Sequence, residues 1–446
     1  MNNQLNNKSV FSALLMVITF NGIVLGQNPT DKIKPAGDSL SLKSVIQQVI
    51  SSYPSVKVAE EAIRNADSRI GLAKTGYNPV VDMTASFANL APVTKLSFPD
   101  LGTFQLYPAN NYSASINYHQ LVYDFGRTHQ NVELENENKA IVEQTLEQVK
   151  QKLSLYTINN FYTLLFLQVA IKIKDEQLTT LNEHLQYIEK IMATGSATEY
   201  QVLTTKVKIS TVESQKVDLV AALTGQQAAM NSLLGNNQIS IPVVRNEINI
   251  EPPVIPEDSI ITYAFHNRDE VLLNEKRTSL AELRFGMTKL QNKPLLSLEA
   301  SGGAKNGYIP DLARFTPNYV IGLGLRVPLF DGMKNKYNLA QAQSGITSLA
   351  YESDLTKRNI SNEVYESKAL MFAASKKVGQ SELQLKQALK AYSLAETSFK
   401  SGTITNLDLL DANTSVSESS LMLLKAKIDY ASTIYKLKAA LGERIY

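Results

Sequence analysis

The chain of 446 residues contains no cysteine. It therefore has no disulfide framework, no thiolate nucleophile and no metal site built on cysteine. Neither sign of charge dominates: 44 lysine and arginine residues stand against 42 aspartate and glutamate residues, and the net charge of +2 gives no indication of a nucleic-acid partner. Glycine and proline are few, while 44% of the residues are hydrophobic, which argues against a disordered chain.

Signatures of catalysis are also missing. The sequence has no glycine-rich phosphate loop and no G-x-S-x-G motif. Its histidines stand singly, without the spacing of metal ligands, so we interpret them as surface residues. They are His119, His129, His184 and His266. The sequence thus predicts a protein that is not an enzyme and uses no cofactor and no metal.

The first residues have the pattern of a secretory signal peptide. Lys8 is followed by a short, interrupted apolar run from Val10 to Leu25, and then by a polar stretch. The run is too short for a comfortable transmembrane helix, although an N-terminal anchor helix is the alternative. We predict a signal peptide over residues 1–26 and an N-terminal leader over residues 27–40. Since no cysteine follows residue 26, a lipid-modified cysteine cannot anchor the mature chain.

Blocks of this sequence occur twice at nearly constant spacing. Arg69-Ile70-Gly71 recurs 215 residues later as Arg284-Phe285-Gly286, and residues 194–235 recur at an offset of 207 as residues 401–442. Such long offsets indicate the duplication of half a fold rather than a solenoid. The predicted boundaries are a first structural repeat at 41–240, a linker at 241–256 and a second structural repeat at 257–446.

Each repeat contains two segments in which apolar and polar residues alternate. Val81 and Met83, for example, alternate with Asp82 and Thr84. This period predicts strands with one apolar and one polar face, which suit a soluble sheet over a core or a membrane barrel with water inside. Lengths near ten residues and tyrosines close to the strand ends favour the barrel. The strands are predicted at about residues 79–90, 111–123, 294–304 and 317–329, with external loops at 91–110 and 305–317.

Two long helical hairpins are predicted after the strands. No proline interrupts residues 127–195 or 333–402, and a helix of this length would extend for about 100 Å. Short glycine-containing turns then return the chain, which gives hairpins over residues 126–235 and 332–442. A soluble periplasmic coiled-coil scaffold protein is the alternative interpretation. It accounts for the helices, but not for the signal peptide or the paired strands.

Four membrane strands cannot close a barrel. An open sheet edge in lipid leaves backbone groups unsatisfied, at a cost of several kcal/mol for each group. Several chains must therefore combine: two would give eight strands and a lumen filled with side chains, whereas three would give twelve strands and a lumen wide enough for water.

The duplicated layout resembles the TolC-like outer-membrane efflux protein family over essentially the whole mature chain. Family motifs occur where strand passes into helix, at Leu121–Gly126 and Val327–Gly332, and again at the far turn, at Ser401–Thr403 and Leu407–Ala412. The resemblance implies a mainly α-helical fold with membrane β-strands. Each chain would give four strands to a trimeric twelve-stranded β-barrel in the outer membrane, continuous with a long α-helical barrel that crosses the periplasm.

The resemblance also implies partners and a function. The homotrimer would dock through a periplasmic adaptor, or membrane fusion protein, onto an inner-membrane transporter of the resistance-nodulation or ABC class. It would serve efflux or type I secretion, with outer-membrane lipid around the barrel and an iris-like gate at the periplasmic tip. The sequence does not identify the exported substrate.

Asp408 and Asp411 match the aspartates at the family's periplasmic entrance. Three residues apart on a helix, they share one face, and a trimer would present six carboxylates that favour cations. Helix capping is an alternative role for Asp408, because Thr405 precedes it by three residues as in a capping box. Asp411 has no such explanation, since its counterpart in the first repeat is Thr204.

The gate residues of the family are absent here. Where the resemblance implies an arginine, a tyrosine and an aspartate that hold the tip closed, this chain has Ile404, Phe399 and Gln201. We therefore expect an apolar latch of Phe399 and Ile404. The adaptor is expected to contact the two turns, which consist of Gly195, Ser196, Ala197, Thr198, Gly402, Thr403, Ile404 and Thr405.

Overall fold

The computed structural model describes residues 40–99, 102–236, 242–246, 248, 251–254 and 259–446. The predicted signal peptide at 1–26 lies outside the described residues, as does the predicted leader apart from Leu40. Only part of the predicted linker at 241–256 falls within them.

Helices make up most of this structure. Two of them, α3 and α7, contain 67 residues each, which corresponds to about 100 Å, as expected from the absence of helix breakers. Among the described residues, no helix combines the length and the apolar composition needed to cross a membrane. The helices are α1 Leu42–Ser52, α2 Pro54–Lys74, α3 Arg127–Ala193, α4 Glu199–Leu234, α5 Ile260–Asn267, α6 Asp269–Leu290, α7 Lys334–Lys400 and α8 Asn406–Ala440.

The strands form one antiparallel four-stranded sheet and one small hairpin. The sheet has the order β1-β4-β5-β6, so β1 and β6 are its two edges. The hairpin of β2 and β3 lies within the segment 91–110, which we predict to be an external loop. Ser97 pairs with Thr103 across this hairpin, with the two hydroxyl oxygens 2.8 Å apart. The strands are β1 Val80–Asn89, β2 Lys95–Phe98, β3 Gly102–Gln105, β4 Asn110–Tyr123, β5 Leu295–Lys305 and β6 Thr316–Arg326.

The four-stranded sheet has one polar face and one apolar face. On the polar face, the hydroxyl groups of Ser86 and Ser113 lie 2.7 Å apart, and the Asn117 amide donates to Asp82 over 2.9 Å. On the apolar face, Met83 and Ile321 are 72% and 70% exposed. Because the other described residues leave such side chains uncovered, the sheet does not cover a core within the described part of the chain.

The hydrophobic core lies between the helices. Its largest fully buried side chains include Phe161 and Tyr162 of α3, which pack in one cluster with Val45 of α1 and Met230 of α4. A second cluster joins α5 to α7 and α8. A third lies towards the far end of the hairpins and contains Leu181 of α3, Ile209 and Val212 of α4, and Leu410 of α8.

The two long helices differ in their surroundings. The helix α3 packs against both α4 and α8, whereas α7 packs along α8 and α6. The hairpins therefore lie side by side in the order α7, α8, α3, α4. This order leaves α4 and α7 as the outer helices of the chain.

Candidate functional site at the helical tip

The two turns at the far ends of the hairpins are built alike. Gly195 and Gly402 adopt left-handed backbone angles, with φ of 78° and 74°, which end α3 and α7. A capping box follows each turn. In the first hairpin, the Thr198 amide donates to Gln201 Oε1 over 2.9 Å, and Thr198 Oγ1 accepts from the Gln201 amide. The side chain of Gln201 is thus engaged by its own helix.

In the second hairpin, Asp408 takes the place of Gln201 in the capping box. Its Oδ2 accepts hydrogen bonds from the Thr405 amide over 2.9 Å and from Thr405 Oγ1 over 2.6 Å. These bonds to Thr405 hold the pKa of the exposed Asp408 carboxyl below its ordinary value. Asp408 therefore does cap the start of α8, and its carboxylate still faces solvent. Asp411, one turn later, is exposed as well.

Phe399 and Ile404, the two residues of the expected apolar latch, have different surroundings. The ring of Phe399 packs edge-on against His184, with centroids 5.2 Å apart, and near Tyr187 at 6.4 Å. Both partners belong to α3, in the other hairpin. Ile404 is half-buried in its turn. The apolar latch of Phe399 with Ile404 stays a prediction, but Phe399 does join the two hairpins.

Asn406 is not among the site residues predicted from the sequence, yet its side chain contacts four residues of the first hairpin. It is the first residue of α8 and is 4% exposed. Its Nδ2 lies 3.2 Å from each of three acceptors on α4, namely Gln201 O, Thr204 Oγ1 and Thr205 Oγ1. Its Oδ1 lies 2.7 Å from His184 Nε2 on α3.

One signal in the sequence pointed to this residue. At the offset of 207, the first-repeat counterpart of Asn406 is Glu199, which is exposed at the start of α4. A polar amide that becomes buried where its duplicated partner stays in solvent marks a place where the copies have diverged. The difference between Asn406 and Glu199 is therefore the signal in the sequence that marks this residue.

His184 is not the surface histidine that we predicted. It is half-buried between α7 and α8, and burial lowers its pKa, although the hydrogen bond with Asn406 and the charge of Glu396 oppose that shift. The amide nitrogen of Asn406 already donates to α4, so its oxygen is the acceptor for His184. The imidazole therefore carries its proton on Nε2 when neutral.

Further polar contacts continue along the seam between α3 and α8. Gln177 Nε2 donates to Asn413 Oδ1 over 3.3 Å, one heptad from the pair of His184 and Asn406. Lys174, 6% exposed, donates to Ser417 Oγ over 3.3 Å. Burial lowers the pKa of Lys174, and the nearby charge of Lys208 lowers it further, whereas Glu418 raises it. Within the described ranges, no group of three or more His, Asp or Glu side chains is arranged to hold a metal ion.

The chain is similar to known proteins over most of its length. The family described as "Outer membrane efflux protein" matches residues 45–236 and 266–443. The solvent efflux pump outer membrane protein SrpC of Pseudomonas putida is 23% identical over 309 residues, which are 66% of this chain and 64% of that protein. The alkaline protease secretion protein AprF of Pseudomonas aeruginosa is 23% identical over 304 residues, 66% of this chain and 62% of its own. The chain thus matches somewhat less than two thirds of the length of these relatives.

A solved structure shows the same architecture. A crystal structure of CusC, described in terms of folding and transmembrane channel formation, superposes with a TM-score of 0.77. It covers 93% of this chain and 96% of its own, at 17% sequence identity. The predicted TolC-like fold class, mainly α-helical with a membrane β part, is confirmed by this likeness. Because the family match covers most of the sequence in both structural repeats, the chain belongs to the outer membrane efflux protein family.

Proposed function

We propose that the chain is one subunit of an outer-membrane exit duct, which passively conducts substrates from an inner-membrane pump across the periplasm and the outer membrane. One observation carries this proposal: a four-stranded sheet with two open edges continues directly into helical hairpins with arms of up to 67 residues. The family to which the chain belongs is named for efflux at the outer membrane and not for a chemical reaction. The chain would act as a conduit and carry out no chemistry.

A homotrimer is the assembly that we propose. The edges β1 and β6 have no strand partner among the described residues, and lipid does not tolerate such edges. The outer helices α4 and α7 also carry exposed apolar side chains, such as Val207 at 66% and Phe372 at 60%. Large apolar surfaces of this kind mark interfaces. In the trimer, β1 would pair with β6 of the next chain, and α4 would pack against the next chain's α7.

Partners and targeting are part of the same proposal. Residues 1–26 would be a cleaved signal peptide, and residues 41–240 and 257–446 the two repeats that supply alternate staves of the duct. The exposed turns at Gly195–Thr198 and Gly402–Thr405 would meet a periplasmic adaptor, and through it a resistance-nodulation or ABC transporter. One relative is named for solvent efflux and another for protease secretion, so both substrate classes stay within the proposal.

The experiment that tests the function follows the whole chain in a Gram-negative host. We expect outer-membrane fractionation, a mass near three chains in detergent, and discrete conductance steps in planar lipid bilayers. A monomer recovered in the soluble periplasmic fraction, with no conductance, would refute the duct and favour the scaffold alternative. Raising antibodies against the loops 91–110 and 305–317 would add a check, because intact cells should bind them only if those loops face outwards.

A further inference from the structure

We propose that Asn406 is the latch of this tip, which ties the second helical hairpin of each chain to the first and so opposes opening. The inference rests on the proposed function, since a latch has meaning only if the tip is a gate. We refer to the contacts of Asn406 with His184, Gln201, Thr204 and Thr205 as the Asn406 clasp.

The clasp joins three helices through one side chain. The amide nitrogen of Asn406 reaches acceptors on α4 at 3.2 Å, and its oxygen accepts from α3 at 2.7 Å, so both ends of the amide are bonded outside its own hairpin. With Asn406 only 4% exposed, water does not replace these partners while the helices stay together. Parting α8 from α3 and α4 requires these hydrogen bonds to break at once.

The position of the clasp links it to the entrance carboxylates. Asn406, Asp408 and Asp411 all lie within the first two turns of α8. A movement that carries Asp408 and Asp411 away from the first hairpin must carry Asn406 with them, because a helix turn is stiff. Breaking the clasp is therefore a condition for moving the second hairpin relative to the first.

The clasp occurs once among the residues that the structure describes. Its counterpart in the first repeat, Glu199, is exposed and holds no second hairpin. The first residue of α8 is therefore bonded to the first hairpin, whereas the first residue of α4 is exposed. Release of the clasp would allow the two hairpins of one chain to move apart.

The clasp is also electrically neutral at neutral pH. An amide, two threonine hydroxyls, a backbone carbonyl and a neutral imidazole bond to one another without an ion pair. Salt screens interactions between exposed charges but affects buried neutral hydrogen bonds much less. A tip held by this clasp should keep the same open probability from about 0.1 to 1 M salt, apart from the ordinary scaling of conductance with the ion concentration.

The first test compares Asn406→Leu with Glu199→Leu in the purified full chain, by single-channel recording in planar bilayers. Leucine fills a similar volume but makes no hydrogen bond. We expect Asn406→Leu to raise the open probability by about tenfold, because several hydrogen bonds of a buried amide are lost. Glu199→Leu, at the matching place in the first repeat, should leave it unchanged. Equal open probability in Asn406→Leu and the unsubstituted chain would overturn the clasp.

A second pair of variants distinguishes loss of the clasp from misfolding of Asn406→Leu. Thr205→Val removes an acceptor of the clasp, and Thr211→Val is its matched control, because both hydroxyls donate to the backbone four residues earlier on α4, at 2.8 and 2.9 Å. We expect a raised open probability in Thr205→Val and not in Thr211→Val. The melting temperature of the trimer should be the same in both variants. The clasp is refuted if the two valine variants open equally.

The absence of cysteine allows a third arm. The double variant Thr205→Cys with Asn406→Cys can be bridged by a short bifunctional methanethiosulfonate, which forms a reducible disulfide with each thiol, in a chain with no other thiol. The bridged form should stay closed and the reduced form should leak. A bridged form that opens as freely as the reduced form would contradict the inference. If the unsubstituted chain forms no channel at all, the proposed function itself falls, an outcome distinct from normal channels that Asn406→Leu does not alter.

Discussion

The carboxylate of Asp124 caps the long helix that follows it by binding Thr128 twice. Its Oδ2 accepts from the Thr128 amide over 2.7 Å and from Thr128 Oγ1 over 2.6 Å, while its Oδ1 accepts from the Gly126 amide. Asp331 caps α7 in the same way in the second repeat, where its Oδ2 accepts a hydrogen bond from the Asn335 amide over 2.9 Å. The repeated Asp-x-Gly and Asp-Gly motifs therefore mark the junctions at which membrane strand becomes helix.

Removing this cap should loosen the first junction. We expect Asp124→Ala to lower the free energy of unfolding by about 1–2 kcal/mol, the usual cost of losing an N-terminal cap. Thermal unfolding followed by circular dichroism in detergent would measure it. Asp331→Ala is the comparison variant, and its effect should be smaller because Asp331 is less buried than Asp124. Equal melting temperatures for Asp124→Ala and the unsubstituted chain would contradict this role.

The same cap predicts a dependence on pH. Burial raises the pKa of Asp124, but the hydrogen bonds from Thr128 and Gly126 outweigh burial and leave the pKa below its ordinary value. A carboxyl with a lowered pKa in the fold contributes its stability above the unfolded pKa, near 4, and loses it as the pH falls further. Acid should therefore reduce the difference in the free energy of unfolding between Asp124→Ala and the unsubstituted chain. A difference that stays constant down to about pH 2 would count against the cap.

The entrance carboxylates should set the charge selectivity of the duct. We expect Asp411→Asn to lower the ratio of cation to anion permeability without changing stability, because Asp411 makes no capping contact comparable to that of Asp408. Asp408→Asn should lower the ratio and also weaken the start of α8, since Asp408 accepts two hydrogen bonds from Thr405. Reversal potentials in asymmetric KCl measure the ratio.

A variant that adds charge completes this test. Thr204→Asp places a carboxylate at the first-repeat counterpart of Asp411 and should raise cation selectivity, while the carboxylate can still accept a hydrogen bond from Asn406 in the clasp. Selectivity that is the same in the unsubstituted chain and in the double variant Asp408→Asn with Asp411→Asn would exclude the carboxylate ring.

Sequence patterns predicted the long helices and the four-stranded sheet well, for local reasons. A long proline-free run rich in Glu, Gln, Lys, Leu and Ala favours a helix through the local propensity of these residues, and strict alternation favours strands such as β1 at Val80–Asn89. The hairpin of β2 and β3 escaped because strands of four residues carry too little periodicity. The clasp escaped because His184 and Asn406 are 222 residues apart, and only the fold brings them together.

His184 should make the tip sensitive to acid. Its pKa is lowered in the fold, chiefly by burial, so the folded state resists a protonation that the separated tip accepts. The clasp is then at full strength above the unfolded pKa, near 6.5, and weakens as the pH falls from there to the lowered value. The charged group that faces His184 from α7 is Glu396, itself paired with Lys400 at 2.7 Å, while the α8 and α4 partners are neutral. We expect the open probability to rise as the pH falls below about 6.5.

The matched variant for this prediction is His184→Gln. Glutamine keeps a donor for the Asn406 oxygen but does not titrate, so opening should become independent of pH in this window. An acid response of the same size in His184→Gln would assign the titration to another group.

The buried charge of Lys174 should destabilise the fold. Lys174 is 6% exposed, and the hydrogen-bond partners of its ammonium among the described residues, Gln177 and Ser417, are neutral. Burial lowers its pKa, although the charge of Glu418 opposes that shift. We expect Lys174→Met to raise the free energy of unfolding by about 1 kcal/mol. Lys172→Met, on the exposed side of the same helix, should change it by less than about 0.5 kcal/mol. Thermal melts that show Lys174→Met to be less stable would mean that the lysine holds a partner charge in the assembly.

The two faces of the sheet should respond in opposite ways to a charge. Ile321, 70% exposed on the apolar face near the middle of β6, would contact lipid, so Ile321→Arg should cost about 2–4 kcal/mol and reduce the amount of trimer in the outer membrane. Gly322, the next residue, lies on the polar face opposite Glu299, with open space where a Cβ would stand. Gly322→Arg should therefore insert normally and lower the conductance of the lumen. Heat-dependent mobility on detergent gels and bilayer recordings measure the two effects, and normal insertion of Ile321→Arg with failed insertion of Gly322→Arg would reverse the assignment of the faces.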